Sequence, residues 1–101
     1  MNRQQYLLCK IAEECSEIQK IAMKAQQFGM DSRNPDTLES NSESLKKEWN
    51  DLYTIIVTLQ NEFGIDLWFE NEFIIEKEKK LSKYYEISKE LGLVGESYDR
   101  N

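Results

Sequence analysis

Leu7, Leu8, Ile11, Cys15, Ile18, Ile21, Ala22 and Ala25 recur at intervals that place them on one side of a helix. The pattern predicts a helix from about Gln4 to Phe28, stopped by Gly29, a residue suited to the turn that ends helices. The segment GMDSRNPDTLESNS holds the only proline and clusters Asp, Ser and Asn, so it reads as a loop. Ser40 with Glu43, or Asn41 just after, suits the cap of a second helix. That helix carries Leu45, Trp49, Leu52, Ile56, Leu59 and Phe63 and closes at Gly64. A third is expected from near Asp66 to Leu91, with Phe73, Ile74, Leu81, Tyr84, Ile87 and Leu91 as its apolar positions. The charged stretch EKEKK interrupts it, and a break between Trp68 and Phe73 would divide it into a short and a longer helix. No strand-like alternation is sustained. The expectation is an all-α fold, an antiparallel helical bundle of three to four helices per chain, completed by oligomerisation.

Length and charge narrow this picture. The 101 residues fit one domain, expected over residues 1–92, with 93–101 as a frayed tail. A domain this small buries a limited share of its surface, which favours assembly into a homodimer or homotetramer. Net charge is −6 and the sequence pI about 4.7, which argues against a basic face for nucleic acid. Binding a polyphosphate through metal ions stays open, because cations invert the local charge. There is no histidine, which removes imidazole bases and the Glu-x-x-His pair of di-iron bundles. Cys9 and Cys15 sit too far apart around a helix to pair, and their spacing suggests a reducing cytoplasm without structural zinc. No apolar stretch approaches the roughly 20 residues of a membrane span, and the N-terminal MNRQQYLLCKIAEE turns acidic too soon for a signal peptide.

Charge also falls where the helical pattern expects apolar surface. On a wheel of about 100° per residue, Glu14 lies only about 60° from the centre of the first stripe. Glu17 is about 120° away on the same flank, whereas Glu13 points nearly opposite. In the second helix Glu48 lies about 50° from its stripe and Asp51 about 110°, displaced in the same rotational sense. Facing helices that run antiparallel would therefore bring both acidic pairs to one edge of their interface. Parallel helices would put them on opposite edges.

Two readings follow. Four carboxylates beside an apolar interface cannot all remain ionised and unpaired, since burying one charge costs several kcal/mol. Either their pKa values rise or cations sit among them, and magnesium suits carboxylates that also meet substrate phosphates. The alternative is a solvated acidic face with Lys10, Lys20 and Lys47 as partners.

EECSE at Glu13, Glu14 and Glu17, followed by EWND at Glu48 and Asp51, resembles the EExxE … ExxD pattern of the MazG-like, all-α nucleoside triphosphate pyrophosphohydrolases. Around these motifs KIAEECSEIQKIAMKAQQFGMD, LKKEWNDLYTIIVTLQ and IEKEKKLSKYYEISKELG are similar to the short members carried by bacteriophages. The likeness covers roughly residues 7–92, and the gap of about 30 residues between the motifs is slightly long for the pattern. It implies hydrolysis of a nucleoside or deoxynucleoside triphosphate between the α and β phosphorus atoms, giving a monophosphate and pyrophosphate. It also implies that Glu14, Glu17, Glu48 and Asp51 hold magnesium, with manganese as a substitute. Glu13 is the candidate base or supporting partner of the ligands. Lys77 and Lys80, at the family's Lys-rich stretch, would reach toward phosphate, with solvated surface as the alternative.

Lys24 is a further candidate for substrate, on the flank of Glu17 about two turns on. Phe28 and Trp49 are candidates to stack on a base, although aromatic residues at such spacing are more often core. Cys15 is expected to fill core. The leading expectation is a magnesium-dependent pyrophosphohydrolase of the cytoplasm, the host's if phage-encoded, that engages neither nucleic acid nor membrane. The alternatives are a non-catalytic protein that sequesters a nucleotide on the same scaffold and a purely helical adaptor.

Overall fold

The computed structural model describes residues 1–95 and contains three helices among them, α1 (Arg3–Phe28), α2 (Asn41–Phe63) and α3 (Asn71–Glu90). Outside the helices the only strand-like pairing among the described residues is a single antiparallel bridge between Arg33 and Ser40. The expected tail falls largely on residues 96–101, which lie outside the described residues. Among the described residues no helix is long and apolar enough to cross a membrane.

Local chemistry sets the helix ends. Asn2 caps α1 by accepting from the Gln5 N–H at 2.8 Å, and the Gln5 side chain returns a bond to the Asn2 N–H at 2.9 Å. Ser40 caps α2 by accepting from the Glu43 N–H at 3.1 Å. At the end of α3, Gly92 takes φ 74, a value open to a residue without Cβ. Its N–H reaches the Lys89 carbonyl at 3.0 Å, and the Leu93 N–H reaches that of Ser88 at 2.9 Å. The helix thus ends in a double carbonyl cap.

The chain divides into two units, Met1–Leu67 and the segment from Trp68 onward. In the first, α1 and α2 pack together as an antiparallel hairpin. Arg3, at the start of α1, reaches Glu62 near the end of α2 at 3.0 Å. Asn41, at the start of α2, donates from Nδ2 to the Gly29 carbonyl at the end of α1 at 2.9 Å. The seam between them is narrow. Leu7 and Leu59 are its buried residues, at 5% and 3% exposure, and Ile11, Ile18, Ile21, Leu45, Leu52, Ile55 and Ile56 are half-buried.

Two helices cover less of each other than the apolar pattern anticipates. Cys15, expected in the core, is exposed, and so are Leu8, Ala22, Trp49 and Phe63. Each lies on the rim of its stripe, where a single facing helix leaves it in solvent. Ile55, absent from the anticipated stripe, is half-buried because it lies on the flank of Glu48.

The second unit differs from expectation at its start. Residues 65–70 are not helical, and α3 begins at Asn71 rather than near Asp66, with no short preceding helix. The Leu67 N–H is held by the Gln60 side chain at 2.9 Å, which keeps that residue in the first unit and out of a helical turn. α3 has no buried residue, and its apolar positions, including Leu81 at 61% exposure, face solvent.

Candidate metal centre

The half-buried face of α1 reads Leu7, Ile11, Glu14, Ile18, Ile21 and Ala25, so one carboxylate occupies a position that the helical period reserves for an apolar side chain. On α2 the corresponding intruder is Glu48, between Leu45 and Leu52. The antiparallel hairpin sets the two opposite each other. Glu14, Glu48 and Asp51 each offer a carboxylate oxygen, and the three oxygens lie within 4.8 Å of one another. Glu14 and Glu48 are half-buried and Asp51 is exposed.

Glu14 bears the largest electrostatic burden of the described residues. Its Oε2 is buried and meets no hydrogen-bond donor. The contact with Glu48 becomes a hydrogen bond only when a proton is present between the two carboxyls. That bond, then burial, then the negative charges of Glu48, Asp51 and Glu13 push the Glu14 pKa up to about 7. Without a cation, the group therefore holds a proton it would otherwise release near 4.5.

The neighbouring acids behave differently. Glu13 is exposed and pairs with Lys10 at 2.9 Å, which raises the lysine's pKa chiefly through that hydrogen bond. Glu17, one turn beyond Glu14, pairs with Lys20 at 3.3 Å and stands outside the three-residue group. Glu14, Glu48 and Asp51 form no ion pair among the described residues.

The remaining candidates scatter. Lys24 and Phe28 line a groove of about 360 Å³ where α1 runs into the following loop. Trp49 is half exposed on α2. Lys77 and Lys80 lie on α3, in the other unit; Lys80 pairs with Glu76 at 3.7 Å, and Lys77 borders an apolar hollow with Trp68, Phe69, Phe73 and Ile74. The loop residues Arg33, Asn34 and Pro35 also line the first groove, and nothing in their spacing marks them for it. A Pro-containing polar segment signals a turn, not the direction in which its side chains end.

The donor set suits a hard divalent ion. All three groups offer oxygen, no histidine exists in the chain, and neither free cysteine joins the group. A cation among these oxygens would replace the missing donor at Glu14 Oε2 and remove the need for the shared proton. The fold and site thus define an all-helical protein with an acidic centre across a helical hairpin. No protein-family model, curated protein or solved structure gives a significant match to the chain.

Proposed function

We propose that the protein is a magnesium-dependent nucleoside triphosphate pyrophosphohydrolase, releasing a nucleoside monophosphate and pyrophosphate. The observation that carries this reading is the buried, donorless Oε2 of Glu14 set among the carboxylates of Glu48 and Asp51. A seam built only for packing gains from an apolar residue at this position, and a carboxylate there costs stability until a cation joins it. The likeness of EECSE and EWND to the MazG-like motifs supports the same assignment.

In this reading Glu14, Glu48 and Asp51 hold magnesium, or manganese in its place. Glu17 is the fourth ligand that the resemblance assigns, and its Oε1 is held by Lys20. Magnesium, when bound, supplies positive charge for the phosphate oxygens and for the attacking water. Water attacks the α phosphorus, the bond to the α–β bridging oxygen breaks, and pyrophosphate leaves. Glu13, on the solvent side of α1 with Lys10, is the candidate to accept the water's proton or to orient a ligand. Lys77 and Lys80 enter as phosphate partners through the resemblance alone.

The reading includes a bundle completed by oligomerisation, as a homodimer or homotetramer. It is supported by α3, whose Phe73, Leu81 and Tyr84 are left exposed, and by the thin seam of the α1–α2 hairpin.

Incubation of the purified protein with a panel of nucleoside and deoxynucleoside triphosphates and magnesium, followed by separation of products, tests the proposal. Monophosphate with pyrophosphate is expected. Diphosphate with orthophosphate would refute the cleavage position. Tight nucleotide binding without turnover would make the protein a sequestering one, and neither binding nor turnover would leave a helical adaptor.

A further inference from the structure

Lys10 precedes Glu14 by four residues, one helical turn away on the flank that also carries Glu17. On the wheel it lies about 40° from Glu14 and Glu17 about 60°, in the same sense. Glu48 and Asp51 converge on that edge from α2. Lys10 is half-buried, and every other described lysine and arginine is exposed. Its stem therefore covers part of the edge of the seam while its charged head stays in water at the rim.

Two neighbours hold the ammonium. Glu13 Oε2 lies 2.9 Å from it, and the centroid of the Tyr6 ring, one turn back, lies 5.4 Å from it. The hydrogen bond to Glu13 and the charge of that carboxylate, then Tyr6, then the charge of Glu14 raise the lysine's pKa. The group is thus a fixed positive charge that the acidic centre feels. It does not quench the centre, because Glu14 Oε2 is still without a donor. Glu13 keeps the cation at the rim, out of the place where it would compete with a metal ion for the same oxygens. One of its three donors goes to Glu13, and two remain for a ligand.

A metal ion alone does not balance such a site. Three carboxylates exceed the charge of one divalent ion before a polyphosphate adds its own. The phosphates then call for a further cation at the rim. We infer that Lys10 binds a phosphate of the substrate beside the metal ion, and that Glu13 is its positioning residue. The inference rests on the nucleoside triphosphate reading of the acidic centre and adds to it the protein group that grips the polyphosphate. It also gives Glu13 a part that needs no proton transfer.

Calorimetric titration of the full chain with inorganic pyrophosphate in magnesium tests this, with magnesium titrated alone in parallel and circular dichroism as a check on folding. The proteins compared are the parent, Lys10→Ala, Lys10→Arg, Glu13→Ala and, as a control on the same helix, Arg3→Ala. Lys10→Ala is expected to weaken pyrophosphate binding by about tenfold or more, the scale of a lost charge-assisted hydrogen bond. Its affinity for magnesium alone should be equal or higher, since a competing positive charge has left. Lys10→Arg should restore most of the loss, Glu13→Ala should lose less than Lys10→Ala, and Arg3→Ala should bind as the parent does. Unchanged pyrophosphate binding in Lys10→Ala, or no binding by the parent, would overturn the inference. So would a joint loss of magnesium and pyrophosphate binding in Lys10→Ala, the mark of a merely structural pair. Unchanged pyrophosphate binding in Glu13→Ala would overturn the positioning part. Turnover of a nucleoside triphosphate at the parent's rate in Lys10→Ala removes the lysine and leaves the pyrophosphohydrolase reading. Pyrophosphate binding that depends on Lys10 in a protein without turnover does the reverse.

Discussion

Charged side chains meet across the α1–α2 hairpin in two places, and the two are built on opposite rules. At the open end Arg3 and Glu62 pair at 3.0 Å through two bonds, opposite in charge and exposed to water. Near the middle Glu14 meets Glu48 and Asp51, alike in charge and partly withdrawn from water. The first contact is one a folding hairpin gains from, though an exposed pair contributes little. The second opposes folding unless a proton or a cation joins it. Local rules of stability are broken at one place along the seam, and such a place is where function is expected.

The largest effect should come from treating the two contacts alike. Glu48→Gln removes a ligand charge with little change of shape, and Glu62→Gln does the same at the open end. Glu48→Gln should lower turnover of the preferred triphosphate by about 100-fold or more, the scale of several kcal/mol of lost charge stabilisation. It should also weaken magnesium binding while far-ultraviolet circular dichroism stays unchanged. Glu62→Gln should leave turnover near that of the parent. Equal turnover in the two variants would remove the metal centre from its assigned place.

A smaller effect separates the contacts by pH. Glu14 has its folded pKa raised from 4.5 to about 7, so between those values the folded state holds a proton that the unfolded state has released. Its contribution is full below about pH 4.5 and is lost as pH rises through 7. Glu62 runs the other way: the hydrogen bond from Arg3 holds its pKa below 4.5, so its contribution is lost as pH falls through that lowered value. Glu39 and Glu43, lowered chiefly by bonds from Ser44 and Ser40, add to the acid-side loss. Urea unfolding in a chelator should therefore show stability falling from about pH 5 to pH 8. Magnesium should flatten or reverse that slope by binding the folded state. A rise in stability from pH 5 to 8 in chelator would contradict the account of Glu14.

The comparison also marks how far sequence reaches. The two helices of the hairpin were readable almost to the residue, because Gly29, Ser40 and Gly64 act on their immediate neighbours, while the Asn2 cap that starts α1 went unread. Glu14 and Glu48 were readable as anomalies, because a helical period makes a misplaced charge visible on either helix alone. Whether Glu17 belongs with them was not readable, since a long exposed side chain chooses between Lys20 and the centre at little cost. α3 was misjudged at its start for a related reason. Nothing local to Asp66 signals that the Leu67 N–H is held by Gln60, seven residues back. Core membership was over-assigned, as at Cys15 and Trp49, because periodicity tells which side of a helix is apolar and not how much of that side a neighbour covers. The loop groove was legible only at Lys24 and Phe28; the part of Arg33 and Asn34 was not, since their side chains are held by bonds within the loop.

The smallest effect belongs to the contact that looks most orderly. Arg3→Ala should lower the midpoint of urea unfolding slightly, and the difference should shrink as salt is raised, because both partners are exposed and screened. Turnover and magnesium affinity should stay with the parent. The contrast with Glu14→Gln is the sharper test. Removing the charge of a residue in the seam should raise metal-free stability at pH 8, where the parent carries the unfavourable charge, and should abolish the stabilisation that magnesium provides. If Arg3→Ala is the more damaging to magnesium binding, the open end of the hairpin and not its middle holds the ion. If Glu14→Gln is less stable than the parent in chelator at pH 8, the crowded carboxylates are supporting the fold rather than straining it.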